Sequence, residues 1–212
     1  MSKGTGLDKI PAKMLRIAAD IIAPSLTYIF NLSISTGVFV DNWKDARVIP
    51  IYKEGDRRTL GNYRPISILP IVSRVFEKEI FKQLYKHLND NNLISKFQSR
   101  FRPGHSTITA LIQMCDNWYE NMDNGKLTGV VFIDIRKAFD SIDHAILLQK
   151  LAYYGVSQLE HTWFQSYLAN RQQQCHVNGS PSTKREIICG VPQGSILGPL
   201  LFLIYINDLQ IV

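Results

Sequence analysis

Three aspartates lie close together in the middle of the chain: Asp134, Asp140 and Asp143. Asp134 belongs to Leu127–Ile135, an almost wholly apolar, β-branched run that is typical of a central strand covered on both faces. A carboxylate on a buried strand needs a compensating partner, and a divalent cation is one such partner. Asp140 and Asp143 have a simpler interpretation, because either could cap a helix that begins near His144. Asp134 is therefore the candidate metal-binding carboxylate.

A second segment, Gly190–Pro199, surrounds one amide side chain, that of Gln193, with glycines and prolines. These residues specify the backbone tightly, and glycine allows it to approach a ligand closely. The segment could line a ligand site, or it could simply form the turn between a strand and a helix.

Two further segments combine basic residues with aromatic or turn residues. Asn62–Leu69 is preceded by Lys53, Arg57 and Arg58, and cations on a hairpin are suited to bind phosphates. In the second segment, Phe97–Thr107, basic and aromatic residues alternate just before a predicted helix. This alternation suits nucleic-acid backbone contacts and base stacking, although a capped helix entry needs no ligand.

The net charge of +6 is distributed unevenly along the chain. Residues 44–102 carry 13 Lys and Arg against 6 Asp and Glu, whereas residues 103–212 carry 7 against 9 and residues 1–43 carry 4 against 3. A basic block beside a mildly acidic one fits a nucleic-acid surface next to a cation-dependent site. A solvated basic face is an equally good interpretation of charge alone.

The composition is that of an ordinary globular protein, with 45% apolar and 20% charged residues. The longest apolar run, Ile196–Ile206, contains Gly198 and Pro199 and is too short to span a bilayer. Three widely spaced cysteines predict neither a disulfide framework nor a zinc site.

Periodicity, caps and turn residues predict the elements that position these segments. The amphipathic helix over Ile71–Leu88 places Val75 among its apolar positions, with Lys78 and Lys82 on another face. The succession of helices and strands predicts an α+β architecture. The predicted helices are Pro11–Ile22, Pro24–Ser35, Ile71–Leu88, Ser106–Met122, Asp143–Tyr154, Ser157–Ala169 and Ile196–Leu209, and the predicted strands are Ala46–Tyr52, Tyr63–Leu69, Leu127–Ile135, Gln172–Val177 and Thr183–Cys189.

In their order along the chain, Asn62–Leu69, Phe97–Thr107, Val131–Asp140 and Gly190–Pro199 together resemble motifs of the reverse transcriptases of non-LTR (LINE-like) retrotransposons. The resemblance covers roughly Asp41 to Leu209. Each motif alone is weak or moderate, but the set is highly specific. The resemblance implies a right-hand polymerase with fingers and a partial palm, in which an incomplete antiparallel palm sheet packs on helices. It divides the chain into a helical N-terminal extension (1–43), a fingers-like region with the basic hairpin (44–125) and a partial palm (126–212).

The resemblance also assigns roles to residues of the palm. Asp134 matches the first catalytic aspartate, which binds both metal ions, and the backbone carbonyl of Ile135 would add a metal contact. Phe139 matches the aromatic steric gate beneath the incoming sugar, which selects deoxynucleotides. Gln193 and Gly194 match the loop near the sugar and the templating base.

In the basic segments, the resemblance implies contacts with phosphates. Arg64 matches the fingers arginine that meets the triphosphate, and Lys53 would assist it. Arg102 matches a segment that contacts template and primer, and Arg57 and Arg58 of the hairpin tip are expected to contact them too. The implied partners are an RNA template, a DNA primer and deoxynucleoside triphosphates, with Mg²⁺ as cofactor and no membrane. An endonuclease domain could precede Met1 in a longer protein, and the nucleus would suit chemistry on chromosomal DNA.

Two departures from the family pattern affect the expected activity. In the family the remaining metal ligands come from an aromatic-Ala-Asp-Asp sequence, expected shortly after Ile206–Leu209, but no two aspartates are adjacent in the 212 residues. The two-ion Mg²⁺ site is therefore expected to be incomplete, and the chain to be truncated and inactive alone. Arg100 stands where the family usually has glycine, so it would be strained if that position needs a positive φ.

Two other hypotheses stay open. The chain could be a retrotransposon remnant that binds nucleic acid without catalysis, through its basic block. It could also be a pseudogene product that does not fold stably, since an unpaired palm strand would leave an unprotected sheet edge.

Overall fold

The computed structural model describes residues 4–209, which hold seven α-helices, five β-strands and two short 3-10 helices at Asp41–Trp43 and Leu60–Asn62. The helices are α1 (Ala12–Ile17), α2 (Ala19–Thr36), α3 (Ile71–Asp90), α4 (Thr107–Asp123), α5 (His144–Tyr153), α6 (Gln158–Leu168) and α7 (Gly198–Ile206). The strands are β1 (Ala46–Tyr52), β2 (Tyr63–Ile68), β3 (Arg171–Val177), β4 (Ser180–Pro181) and β5 (Arg185–Ile187). No helix in this part of the chain combines the length and apolar character needed to cross a membrane.

The five strands form one sheet in the order β2-β1-β3-β4, with β5 also paired to β3. β1 and β2 are the predicted hairpin and pair antiparallel, with Ile51 opposite Arg64. β1 and β3 pair in parallel, with Ala46 opposite Gln173, so the sheet is partial and mixed rather than wholly antiparallel. The parallel pairing is possible because four helices separate β1 from β3 and provide the long connection that it requires. The predicted α+β class is confirmed.

Capping residues set the starts of two helices as the sequence predicts. The Ser106 hydroxyl accepts from the Thr109 N–H at 3.1 Å, and the Thr109 hydroxyl accepts from the Ser106 N–H at 2.9 Å, which is a reciprocal capping box. The Asp143 carboxylate accepts from the Ile146 N–H at 2.9 Å and begins α5.

The predicted strand over Leu127–Ile135 is wrong. This segment forms no strand, and the exposed fractions of Leu127, Val131 and Ile133 are 102%, 85% and 86%. A strand obtains its backbone hydrogen bonds from a neighbour, and within residues 4–209 no other strand lies beside this segment.

Two helix predictions also need correction. The predicted helix boundary at Pro24 is wrong, because α2 continues through this residue. The two helices are instead separated at Ala18, which ends α1 and precedes α2. Pro24 removes the donor for the carbonyl of Asp20, which is tolerable because Asp20 is exposed to water. In α3, Val75 is 49% exposed, whereas Glu77 is fully buried.

Glu77 connects α3 to three other segments. One carboxylate oxygen accepts the backbone N–H groups of Ile196 (2.6 Å) and Leu197 (3.3 Å), just before α7. The other accepts the hydroxyl of Tyr167 on α6 at 3.2 Å. Arg171 of β3, also fully buried, lies with its guanidinium 4.7 Å from the centre of the Tyr167 ring. Burial raises the pKa of Glu77, while the Arg171 charge and the hydrogen bonds oppose that rise.

The loop over residues 190–197 lies against β2 and against residues 139–142. The Ser67 N–H of β2 donates to the carbonyl of Gln193 at 2.8 Å. Gly194 has a φ of +139°, and a Cβ added there would lie 2.2 Å from the Ser67 carbonyl oxygen. Only glycine therefore fits this contact between the loop and the hairpin.

We expect Gly194→Ala to destabilise the fold by roughly 3 kcal/mol, because it adds a backbone clash to an unfavourable φ. Gly179→Ala is the matched control, since Gly179 also has a positive φ but its added Cβ meets nothing within 4 Å. The control should lose about 1 kcal/mol, as expected for backbone strain alone. Denaturant unfolding measures both values, and equal losses would contradict the proposed clash.

A second expectation concerns pH. Because the pKa of Glu77 is raised in the folded protein above its ordinary 4.5, the folded state holds this proton more tightly than the unfolded state. Its contribution to the free energy of unfolding should therefore fall as pH rises from 4.5 through the folded pKa. Glu77→Gln should lack this decline, so its stability relative to the wild type should improve with rising pH.

Urea unfolding between pH 4 and 8 measures the effect. Glu79→Gln, which removes an exposed carboxylate from the same helix, should keep the wild-type pH dependence. Parallel pH curves for the wild type and Glu77→Gln would argue against the raised pKa.

Candidate nucleotide site

A cavity of about 310 Å³ lies between β2, β5 and the loop over residues 190–193. It brings together residues that are far apart in the sequence. Among the residues that line it are Pro65, Ser67, Asp140, Glu186, Gly190 and Gln193. Three of the four segments singled out by the sequence thus contribute to one site: the hairpin strand, the Gln193 loop and, through Asp140, the aspartate segment.

The loop is fastened to the segment that follows Asp134. The Val191 N–H donates to the Phe139 carbonyl at 2.8 Å, and the Gly190 N–H donates to the Ile142 carbonyl at 2.7 Å. Gly190 has a φ of +83°, and a Cβ added there would lie 2.7 Å from the Cα of Asp140. This close approach accounts for the glycine at position 190.

Gln193 uses both its backbone and its side chain at the cavity. Its carbonyl accepts from Ser67, and its side-chain Nε2 donates to the Asp140 carboxylate at 2.9 Å. A carboxylate can only accept, so the amino end of the Gln193 amide must face Asp140.

Phe139, the predicted steric gate, comes just before Asp140 in the chain and is not among the residues that line the cavity. Its side chain is half-buried, and the centre of its ring lies 5.9 Å from the ring centre of Phe101 and 5.1 Å from that of Phe202. Because Asp140 follows Phe139 in the chain, the hydrogen bond between Asp140 and Gln193 connects Gln193 to the residue next to Phe139.

Arg64 is not brought into the cavity. It is exposed on β2, and side chains of a strand alternate between the two faces. Pro65 and Ser67 line the cavity from one face, so Arg64 lies on the other. Lys53 forms an ion pair with Glu54 at 2.7 Å, and this hydrogen bond and charge lower the pKa of Glu54, with a smaller contribution from Arg64.

The tip of the hairpin presents Arg57 and Arg58 to solvent. The Arg57 guanidinium lies 4.9 Å from the centre of the Tyr52 ring, and the Tyr63 hydroxyl donates to the Arg57 carbonyl at 2.8 Å. Within residues 4–209, none of Arg57, Arg58 and Arg64 forms a salt bridge. Three charges are therefore available to a polyanion.

Arg102 is directed into its own loop. Its Nη1 donates to the carbonyls of Ser95 at 2.9 Å and Gln98 at 3.0 Å, and so holds the segment before α4 together. The strain considered for Arg100 does not arise there, because the positive φ, +59°, belongs to Phe101. The Arg100 guanidinium lies 5.3 Å from the centre of the Phe101 ring.

Asp134 and the carbonyl of Ile135 lie on the exposed segment and are not among the cavity residues. Oxygen donors of this type suit Mg²⁺, but one carboxylate and one carbonyl are too few for two ions. Within the described part of the chain, no group of three or more His, Cys, Asp or Glu side chains is placed to bind a metal ion. These residues alone therefore do not fit a two-ion site.

The sequence did not identify Asp140 as part of the site. The local sequence predicts Asp140 or Asp143 as the cap of α5, and in the structure Asp143 is the cap. The contact of Asp140 with Gln193 spans 53 positions, and no local pattern signals such a pairing.

Comparison with known proteins connects this arrangement to a family. Residues 51–210 match the family described as reverse transcriptase (RNA-dependent DNA polymerase). The RNA-directed DNA polymerase from mobile element jockey of Drosophila melanogaster is 33% identical over 210 residues, which cover 99% of this chain and 23% of that protein. The probable RNA-directed DNA polymerase from transposon BS of the same organism is 31% identical over 99% of this chain and 23% of its own length.

A third relative, the probable RNA-directed DNA polymerase from transposon X-element of Drosophila melanogaster, is 32% identical over 87% of this chain and 20% of its own length. The chain thus spans about a quarter or less of these relatives. The match over residues 51–210 is nevertheless sufficient to assign the family: the chain belongs to the reverse transcriptases, the RNA-dependent DNA polymerases, in the group encoded by non-LTR retrotransposons.

Proposed function

We propose that this chain forms the nucleotide-binding and template-binding part of a retrotransposon polymerase that copies RNA into DNA by two-metal nucleotidyl transfer. The observation that carries the proposal is the loop with Gln193, held against Phe139 and Asp140 at the edge of a cavity. Fixed backbone and few polar side chains around a cavity are typical of a site for a small ligand.

In this proposal the incoming deoxynucleotide lies against the loop. Gln193 and Gly194 contact its sugar and base, and Phe139 supports the sugar and excludes a 2′-hydroxyl. The half-buried Phe139 ring is held by two neighbouring rings, so it is rigid enough to discriminate by size.

Arg64 and Lys53 bind the triphosphate in this proposal. Within residues 4–209 the Arg64 guanidinium forms no salt bridge and is suited to two-point phosphate binding, whereas Lys53 must first leave Glu54. Because Arg64 lies on the face of β2 opposite the cavity, the triphosphate would extend past the edge of the hairpin.

The RNA template and DNA primer contact the hairpin tip. Arg57 and Arg58 bind backbone phosphates, and the Tyr52 ring beside Arg57 offers a stacking surface. Arg102 acts by shaping the loop before α4, since two of its donors already bind carbonyls of that loop.

Reverse transcriptases generally use Mg²⁺. In a complete site, Mg²⁺ would supply positive charge at the triphosphate and would favour ionisation of the primer hydroxyl. Because Asp134 and Ile135 do not complete such a site, we assign the metal-dependent step to a longer protein, which could also carry an endonuclease. The regions 1–43, 44–125 and 126–212 remain the proposed extension, fingers-like region and partial palm, the last two joined by the pairing of β1 with β3.

A second candidate function is nucleic-acid binding without catalysis. The three arginines without salt bridges favour it, because they need no metal site to act. Both functions use the arginines of the hairpin, but only the first requires a nucleotide at the Gln193 cavity and its transfer to a primer.

We expect replacement of Arg57, Arg58 and Arg64 by alanine to weaken binding to single-stranded RNA and to flatten its salt dependence. If all three arginines contact RNA phosphates, as in the second candidate function, the slope of log binding constant against log salt concentration should become shallower by about 2. Fluorescence anisotropy over a salt titration measures both quantities. The matched control replaces Lys78, Lys82 and Lys86, three exposed cations of α3, by alanine. Equal weakening in both triple variants would show that binding follows net charge and not the hairpin.

We expect the 212-residue chain to add no nucleotides to a primer annealed to RNA in the presence of Mg²⁺, because the carboxylates of residues 4–209 do not complete a metal site. Extension products separated on a denaturing gel measure this. Robust extension that Asp134→Asn abolishes would contradict the expectation and would show that these residues hold the ions themselves.

A further inference from the structure

We propose that Asp140 is the positioning residue of the candidate nucleotide site: its carboxylate fixes the orientation of the Gln193 side-chain amide. The inference rests on the proposed function, in which Gln193 contacts the nucleotide. It gives Asp140 a role that neither helix capping nor metal binding accounts for.

The backbone of Asp140 is held from several directions. Its N–H donates to the Lys137 carbonyl at 2.8 Å, and its own carbonyl accepts from the Cys189 thiol at 3.3 Å. Gly190 approaches it so closely that an added Cβ would lie 2.7 Å from the Asp140 Cα. The direction of the Asp140 Cα–Cβ bond is therefore set by contacts of its backbone, and the hydrogen bond with Gln193 orients the carboxylate.

Gln193 is held at two points, and only one of them involves its side chain. The Ser67 N–H fixes its backbone carbonyl, which leaves three side-chain torsions free. The hydrogen bond from Nε2 to the Asp140 carboxylate removes that freedom. A charged acceptor makes this bond stronger than a neutral one.

The direction of this bond has a chemical consequence. Among residues 4–209 the Gln193 side chain makes one hydrogen bond, from its amino group to Asp140, so its carbonyl oxygen can accept a hydrogen bond from a ligand in the cavity. A ligand that places a donor there binds to a preset acceptor and does not have to order the side chain. The same hydrogen bond also occupies one oxygen of the negatively charged Asp140 carboxylate, which would otherwise face an anionic nucleotide.

Asp140 does not cap α5, because Asp143 has that role. The N-terminus of α5 is capped by Asp143, whose carboxylate accepts the Ile146 N–H at 2.9 Å. Asp143 thus provides a control, because its replacement removes a nearby carboxylate and loosens α5 without touching Gln193.

The test compares Asp140→Ala, Asp140→Asn, Gln193→Ala and the Asp140→Ala/Gln193→Ala double variant. Binding of a fluorescent deoxynucleoside triphosphate with Mg²⁺ is measured by anisotropy. We expect each alanine variant to weaken binding about tenfold, and the double variant to weaken it no further. Asp140→Asn should remain within about threefold of the wild type, because its side-chain oxygen still accepts from Gln193.

A readout without nucleotide separates positioning from folding. The side-chain amide of Gln193 should give distinct proton and nitrogen NMR signals in the wild type and in Asp140→Asn. In Asp140→Ala these signals should move to the positions of a free glutamine amide. Asp143→Ala should leave them in place, even if it lowers the melting temperature.

The outcomes distinguish the inference from the proposed function. Wild-type nucleotide binding that Asp140→Ala leaves unchanged, with an unchanged Gln193 amide signal, would overturn the inference alone. Additive losses in the double variant would also overturn it. Absence of nucleotide binding by the folded wild type would overturn the proposed function, and the amide signals would then decide the Asp140–Gln193 contact independently.

Discussion

The buried carboxylate of Glu77 is the constraint on which the candidate site depends. A charge inside an apolar core is tolerated only when hydrogen bonds and an opposite charge compensate for lost hydration. Ile196 and Leu197 supply two backbone N–H groups, Tyr167 supplies a hydroxyl, and Arg171 supplies the opposite charge. These partners come from the loop before α7, from α6 and from β3. The requirement of one side chain on α3 therefore fixes three other segments.

The hydrogen bonds of Glu77 also restrain the loop that carries Gln193. Glu77 holds the loop where α7 begins, and Ser67 of β2 holds it at Gln193 itself. At the other end, Gly190 is tied to the carbonyl of Ile142. A loop of eight residues held at three points has little conformational freedom. The walls of the cavity are thus set by the fold, and a ligand would bind without first ordering them.

Elements with local stabilising contacts were predicted well from the sequence, whereas long-range contacts were not. β1 has its predicted bounds beside β2, its hairpin partner close in the sequence, and Asp143 is one of the two aspartates predicted as the cap of α5. The hairpin and the cap depend on nearby residues, whereas the parallel pairing of β1 with β3 was not predicted. The burial of Glu77 depends on donors about 120 positions away, so helix periodicity placed Val75 in the core instead. In the site, the residue types around Gln193 indicated a ligand loop, but its pairing with Asp140 lay beyond any local pattern.

The Gln193 loop and the segment with Asp134 differ in what stabilises them. The loop at the cavity is stabilised by contacts among residues 4–209, whereas Asp134 lies on an exposed segment that no described strand pairs with. Apolar composition shows that Leu127–Ile135 would gain from burial, but not what would cover it. Burial of the Asp134 charge also requires a cation or another partner. A neighbouring strand that carried carboxylates would meet both requirements at once, because it would supply backbone hydrogen bonds and further oxygen ligands. In the proposed polymerase, strand pairing and metal binding at Asp134 would thus be coupled, whereas the loop around Gln193 has its hydrogen bonds within residues 4–209 without either.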